Sequence, residues 1–98
     1  MPIVYEYLGI KLGLYTDDHE PIHFHAMYNG NVIKVILHVE NGFVKRVTYQ
    51  AYKGTFSPTK LKQLKEFCAK YKQALLFAYE QLFNGVEIKR ITITKKIK

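Results

Sequence analysis

The dipeptide Asn29-Gly30 separates two runs of alternating side chains, Ile22 to Tyr28 before it and Ile33 to His38 after it. It therefore fixes how those runs pair. A two-residue hairpin turn of this kind needs a left-handed backbone at both central positions, which asparagine and glycine accept most readily. Closing the turn sets Ala26 against Ile33, Phe24 against Val35 and Ile22 against Leu37, all apolar. The other face pairs His25 with Lys34 and His23 with Ile36, and His38 follows further along it. A slip of one residue would turn every apolar side chain to the wrong side, so turn chemistry and hydrophobic pattern specify the same register.

The neighbouring segments extend this hairpin into a sheet. Ile10, Leu12 and Leu14 alternate with Lys11, Gly13 and Tyr15, as a half-buried strand does. Ile3 to Tyr7 reads as a shorter strand before it. Asn41-Gly42 marks the next turn. A two-residue loop there would place Arg46 and Thr48 on the core face. A three-residue loop, Glu40-Asn41-Gly42, points Phe43, Val47 and Tyr49 inward instead, sets Arg46 beside Ile36 and Thr48 beside Lys34, and is the expected form.

Ser57-Pro58 then opens a helix, with Ser57 as the cap and Pro58 at the first helical position. Leu61, Leu64, Cys68, Tyr71, Leu75, Ala78 and Leu82 form one apolar stripe, and Asn84-Gly85 ends the element. About 26 residues at roughly 1.5 Å each would make a rod near 39 Å. Such a rod suits packing across a sheet better than a short coiled coil with Cys and Ala at its seam.

Val86 and Ile88 share one parity, Ile91 and Ile93 the other, so a last strand would need a bulge near Lys89-Arg90. The expected fold class is α+β. It has an antiparallel meander sheet of four to six strands, one long C-terminal helix on one face and a final C-terminal strand. Residues 1–94 would form a single domain and residues 95–98 a mobile basic tail.

Fifteen Lys and Arg against eight Asp and Glu give a net charge of +7, a field that attracts RNA, anionic lipid or an acidic protein. A merely basic surface would look the same. A single cysteine, Cys68, excludes an intrachain disulfide and reads as a small core residue. The start, Met1 to Glu6, lacks the pattern of a signal peptide, and no run reaches membrane-spanning length. A cytoplasmic protein without a membrane partner is expected.

Chemistry concentrates in Asp18-His19-Glu20-Pro21-Ile22-His23-Phe24-His25. Alternate residues of a strand share a face, so His23 and His25 would project together, with His19 able to fold back from the preceding loop. Three readings follow. A transition metal such as zinc would take His19, His23 and His25, with Asp17, Asp18 or Glu20 completing the set. Acid–base cleavage of RNA would use His23 and His25 as the central groups and His19 as a third, with Lys34 and Arg46 holding phosphate. A structural or purely binding face needs neither. Separately, Lys53, Lys60, Lys62 and Lys65 crowd the start of the helix, where free N–H groups and cations together can hold phosphate.

The histidine string, behind a short β region opening Met1-Pro2, resembles the DUF4160 family of small bacterial proteins, whose hallmark is Asp-His-x-Pro-x-His-x-His followed by a glycine-containing hairpin and one long helix. The matching positions are Asp18, His19, Pro21, His23 and His25. The likeness covers residues 1 to about 83. It implies a module of toxin–antitoxin type, with RNA or a cognate antitoxin-like protein as partner, and no established activity. The chain departs from the pattern at Ile22, where a second proline is common. It departs again at Ala78-Tyr79, where many members carry Trp, and in its extension from Val86 to Lys98.

Overall fold

The computed structural model describes residues 2–14 and 22–97. Five strands come first: β1 (Ile3–Tyr7), β2 (Ile10–Gly13), β3 (His23–Tyr28), β4 (Asn31–Glu40) and β5 (Phe43–Lys53). Helix α1 (Pro58–Phe83) and strand β6 (Ile91–Ile93) follow. One six-stranded sheet runs in the order β5-β4-β3-β2-β1-β6. All neighbours are antiparallel except β1 and β6, which are parallel. The fold is α+β, with the single described helix on one face and the C-terminal strand closing one edge.

The first hairpin has the register its sequence dictates: His23 lies opposite Ile36, Phe24 opposite Val35, His25 opposite Lys34 and Ala26 opposite Ile33. Asn29 and Gly30 both carry positive φ, 50° and 78°. Ile22, Phe24, Ala26, Ile33, Val35 and Leu37 are buried beneath α1. On the other side of that interface lie Leu64, Phe67, Cys68 and Leu75, none of them measurably exposed. Phe67 is central. Its ring stacks on Tyr7 at 5.2 Å and on Tyr71 at 4.8 Å, and meets Tyr5 edge-on at 5.5 Å.

The β4–β5 turn differs from expectation. Asn41 and Gly42 both take positive φ and form a two-residue loop, with Glu40 paired to Phe43. Phe43 points outward, 61% exposed, and Val44 takes the buried position. A bulge then restores the pattern. Val39 pairs with Val44 but His38 pairs with Arg46, leaving Lys45 unmatched. Val47 and Tyr49 thus pack against the core as expected, while Thr48 lies opposite Ile36 and Gln50 opposite Lys34. The Asn-Gly turn chemistry set the loop length, and the extra residue was absorbed one step later as a bulge.

The helix begins and ends where its signals lie. The Ser57 side chain accepts a hydrogen bond from the Lys60 N–H, and Asn84 caps the C-terminus. A straight rod of this length, about 39 Å, would exceed the longest axis of the molecule, 33 Å. The backbone leaves helical geometry at Tyr71, whose ring lies between Phe67 and Tyr5. Gln73 ties the second half of the helix to the turn, donating to the Gly42 carbonyl and accepting from the Val44 N–H.

The C-terminal segment needs no bulge. Residues 86–90 are outside any strand, and only Ile91–Ile93 pairs, alongside Tyr5, Glu6 and Tyr7. The expected parity conflict disappears because Val86 and Ile91 stay exposed while Ile88 and Ile93 pack against the core. Arg90 forms an ion pair with Glu6 at 3.1 Å. Far from hanging free, Ile97 donates its N–H to the hydroxyl of the buried Tyr7. Among the described residues no helix is long and apolar enough to cross a membrane.

Cys68 is a core residue, hydrogen-bonded to the Tyr49 hydroxyl of β5. Burial pushes the thiol up to about 12 from 9.0, while the hydrogen bond with Tyr49 pulls modestly the other way. Burial, then Cys68, raises Tyr49 as well. Unfolding restores ordinary ionisation, so above the unfolded thiol value the unfolded chain binds fewer protons than the folded one. This contribution is complete below pH 9 and falls away as pH rises toward 12. Moving a thiol over that range corresponds to on the order of 4 kcal/mol. Urea unfolding should show stability falling over this window, and Cys68→Ala should flatten the decline. In the folded protein at neutral pH, Cys68 should resist thiol reagents.

Candidate functional site

The face of the sheet opposite α1 is built by the alternation that builds the core. Because Phe24 and Ala26 go under the helix, His23 and His25 emerge on the other side. Both are half-buried, and their rings meet edge-to-face with centroids 5.3 Å apart. Lys34 stands in register with His25 on β4. From β5 the ring of Tyr52 reaches over to His25 at 5.7 Å, and Tyr52 is 68% exposed. Three rings therefore form a contiguous row from β3 to β5, with Lys34 in register with His25 on the strand between them.

A second group lies further along the same face. His38 Nε2 and the Thr48 hydroxyl are hydrogen-bonded at 2.8 Å, and Arg46 is exposed in register with His38. A shallow depression of about 320 Å³ is lined by His38, Val39, Glu40, Lys45 and Arg46. On β2, Lys11 lies opposite Met27 and is exposed, adding a third cation to the face. Glu40, at the rim, is the acidic side chain of this depression.

The expected site residues thus fall into two groups. His23, His25 and Lys34 come together. Arg46 shares the face but accompanies His38 and Thr48. His19, with Asp17, Asp18 and Glu20, lies outside the described residues, and so does the proposed contribution of that loop to a metal. Among the described residues no group of three His, Cys, Asp or Glu gathers. The register also places Lys34 opposite His25, and a cation at that position favours an anionic guest over a metal ion.

Tyr52 is the residue that sequence reasoning missed. Its signal was present: Arg46, Thr48, Gln50 and Tyr52 share one parity. Carrying the alternation two more steps places its ring on the histidine face. A bulge between Ala51 and Lys53 keeps it there while the register with β4 shifts.

The lysines at the helix start are not one cluster. Lys60 Nζ donates to the Leu8 carbonyl at 2.6 Å and sits 4.5 Å over the Tyr28 ring. Leu8 holds a left-handed backbone, φ 49°, in the β1–β2 turn, and Lys60 anchors it. Lys65 lies 5.5 Å over Tyr49. These two charges serve the fold. Lys60→Ala should lower stability by about 1–2 kcal/mol through the lost hydrogen bond and ring contact. The exposed neighbour change Lys62→Ala should stay within about 0.5 kcal/mol, and denaturant unfolding of both variants separates the two cases.

A family model described as a domain of unknown function, DUF4160, matches residues 9–80. The matched span holds β2 to β5, the histidine face and most of α1, and leaves out β1 and β6. No curated protein and no solved structure matches the chain.

Proposed function

The chain is a member of the DUF4160 family, and from that premise and the face just described we propose that it binds single-stranded RNA across β3, β4 and β5. The observation that carries this reading is the row His23, His25 and Tyr52, with Lys34 in register beside His25. Unstacked bases find aromatic surfaces there, and phosphates find Lys34, Lys11 and Arg46. Base stacking tolerates any sequence because every base has a π-face. A duplex hides its bases and gains only from the charges. Binding or cutting RNA is also how a module of toxin–antitoxin type would act on translation.

Fluorescence anisotropy with a labelled single-stranded oligonucleotide tests the reading. Single strands should bind more tightly than duplex. Three phosphate contacts should give a slope of log affinity against log salt of about −2. Equal affinity for duplex, or no binding at low salt, would overturn the proposal.

The contact of two imidazoles beside a lysine supports a second reading, in which the same face cleaves what it binds. One imidazole takes the proton of a ribose 2′-hydroxyl, whose oxygen attacks the adjacent phosphorus. The other gives a proton to the departing 5′-oxygen, and Lys34 faces the charge that develops. The product would be a 2′,3′-cyclic phosphate, lost in both His23→Ala and His25→Ala. RNA left intact by the unsubstituted protein removes this reading without touching the first.

A further inference from the structure

The two edges of the sheet are built differently. At one end, β6 offers three residues and is followed by Lys95 and Lys96. At the other, β5 runs for eleven residues without proline, and it is the terminal strand of the sheet. Edge strands are normally short, covered or bulged, because their outward N–H and C=O groups can template another strand. Strand β5 is bulged at Lys45 and again at Tyr52, and the Val44 N–H is taken by Gln73, so the open template is the regular stretch between the bulges, Val47 to Ala51. Here the middle of the strand, Val47 to Tyr52, is six uncharged residues rich in β-formers. Lys45 and Arg46 precede it and Lys53 follows it, all exposed, with no acidic residue in the strand.

We propose that the free edge of β5 is a docking site for an extended acidic peptide segment, which adds to the sheet as a seventh strand. The segment would carry an uncharged, β-forming centre flanked on both sides by Asp or Glu. The charges select this occupant over a second copy of the chain. Two β5 strands would bring six cations and no carboxylate to one seam, and pairing centred on Tyr49 would set Lys45 directly against Lys53. Like charges opposite one another across strands are destabilising, opposite charges stabilising. Main-chain hydrogen bonds supply the attachment in this mode, and the flanking charges supply the choice of partner. The inference does not rest on RNA binding, because the attachment is the strand edge, although Lys45 and Arg46 also border the ring-bearing face.

The test uses the full chain and labelled synthetic peptides of about ten residues, long enough to cover a strand. An acid-flanked Val-Thr repeat should bind. The same peptide with alternate amides N-methylated should not, since it cannot complete a ladder. Lysine flanks should weaken binding about tenfold, and the exposed double change Lys45→Glu with Lys53→Glu should reverse that preference. Amide exchange should slow at Val47 to Ala51 on binding. Equal binding of the methylated peptide would show charge attraction alone and overturn the proposal. Indifference to flank charge, protection elsewhere in the chain, or self-association through β5 would also overturn it. RNA affinity is read separately, at His25 and Tyr52.

Discussion

Changing His25 and Tyr52 together to alanine should weaken single-stranded RNA binding by about a hundredfold, at the lower end of what two stacking rings supply. The rings are 5.7 Å apart and share one surface, so their losses overlap and should fall short of the sum of the single changes. The fold should hardly notice. Tyr52 is 68% exposed and His25 half-buried, and neither lies under the helix. Stability within about 1 kcal/mol of the parent, measured by thermal unfolding, is the control. Lys34→Ala should act differently, lowering the salt slope by slightly less than one while leaving the preference for single strands in place. If the double change leaves affinity untouched but Lys34→Ala lowers it, the rings are structural and the face is only a basic surface.

Phe67→Ala should be the most damaging single change in the core, costing about 3–5 kcal/mol. Phe67 is fully buried and touches three tyrosine rings from two elements, Tyr5 and Tyr7 of β1 and Tyr71 of its own helix. None of those rings can collapse into the vacated space without giving up another partner, so the cavity should persist. Small domains have little stability to spare, and chemical denaturation should place this variant near or beyond its unfolding midpoint in buffer. A loss below about 1.5 kcal/mol would mean that Tyr71 swings into the gap, which the departure from helical geometry at that residue would permit.

Legibility followed the strength of local signals. The hairpin about Asn29-Gly30 was readable in full, register included, because both its turn and its two faces are chemically unambiguous. The helix was readable to the residue at its start, where Ser57-Pro58 leaves little choice. Phe67 was not singled out, since the stripe through Leu64 and Cys68 already satisfied the helical period and its flank position looked optional. The β4–β5 register slipped because a bulge at Lys45 preserves facing while moving partners, and alternation reports only facing. The parallel pairing of β6 with β1 joins segments some eighty-five residues apart, and no local pattern carries that information. The histidine row was half visible: the two imidazoles announced themselves, and the parity that carries Tyr52 to the same face was legible, but its contact with His25 across β4 was not.

The pairing of β6 with β1 has a practical consequence for handling the molecule. The last described stretch runs along one border of the sheet, beside β1, with Ile97 fastened to Tyr7. A tether or fluorophore joined behind β6 should emerge near that border. The ring-bearing surface and the far border at β5 would stay unobstructed, so immobilised protein should present them to solution in a uniform orientation.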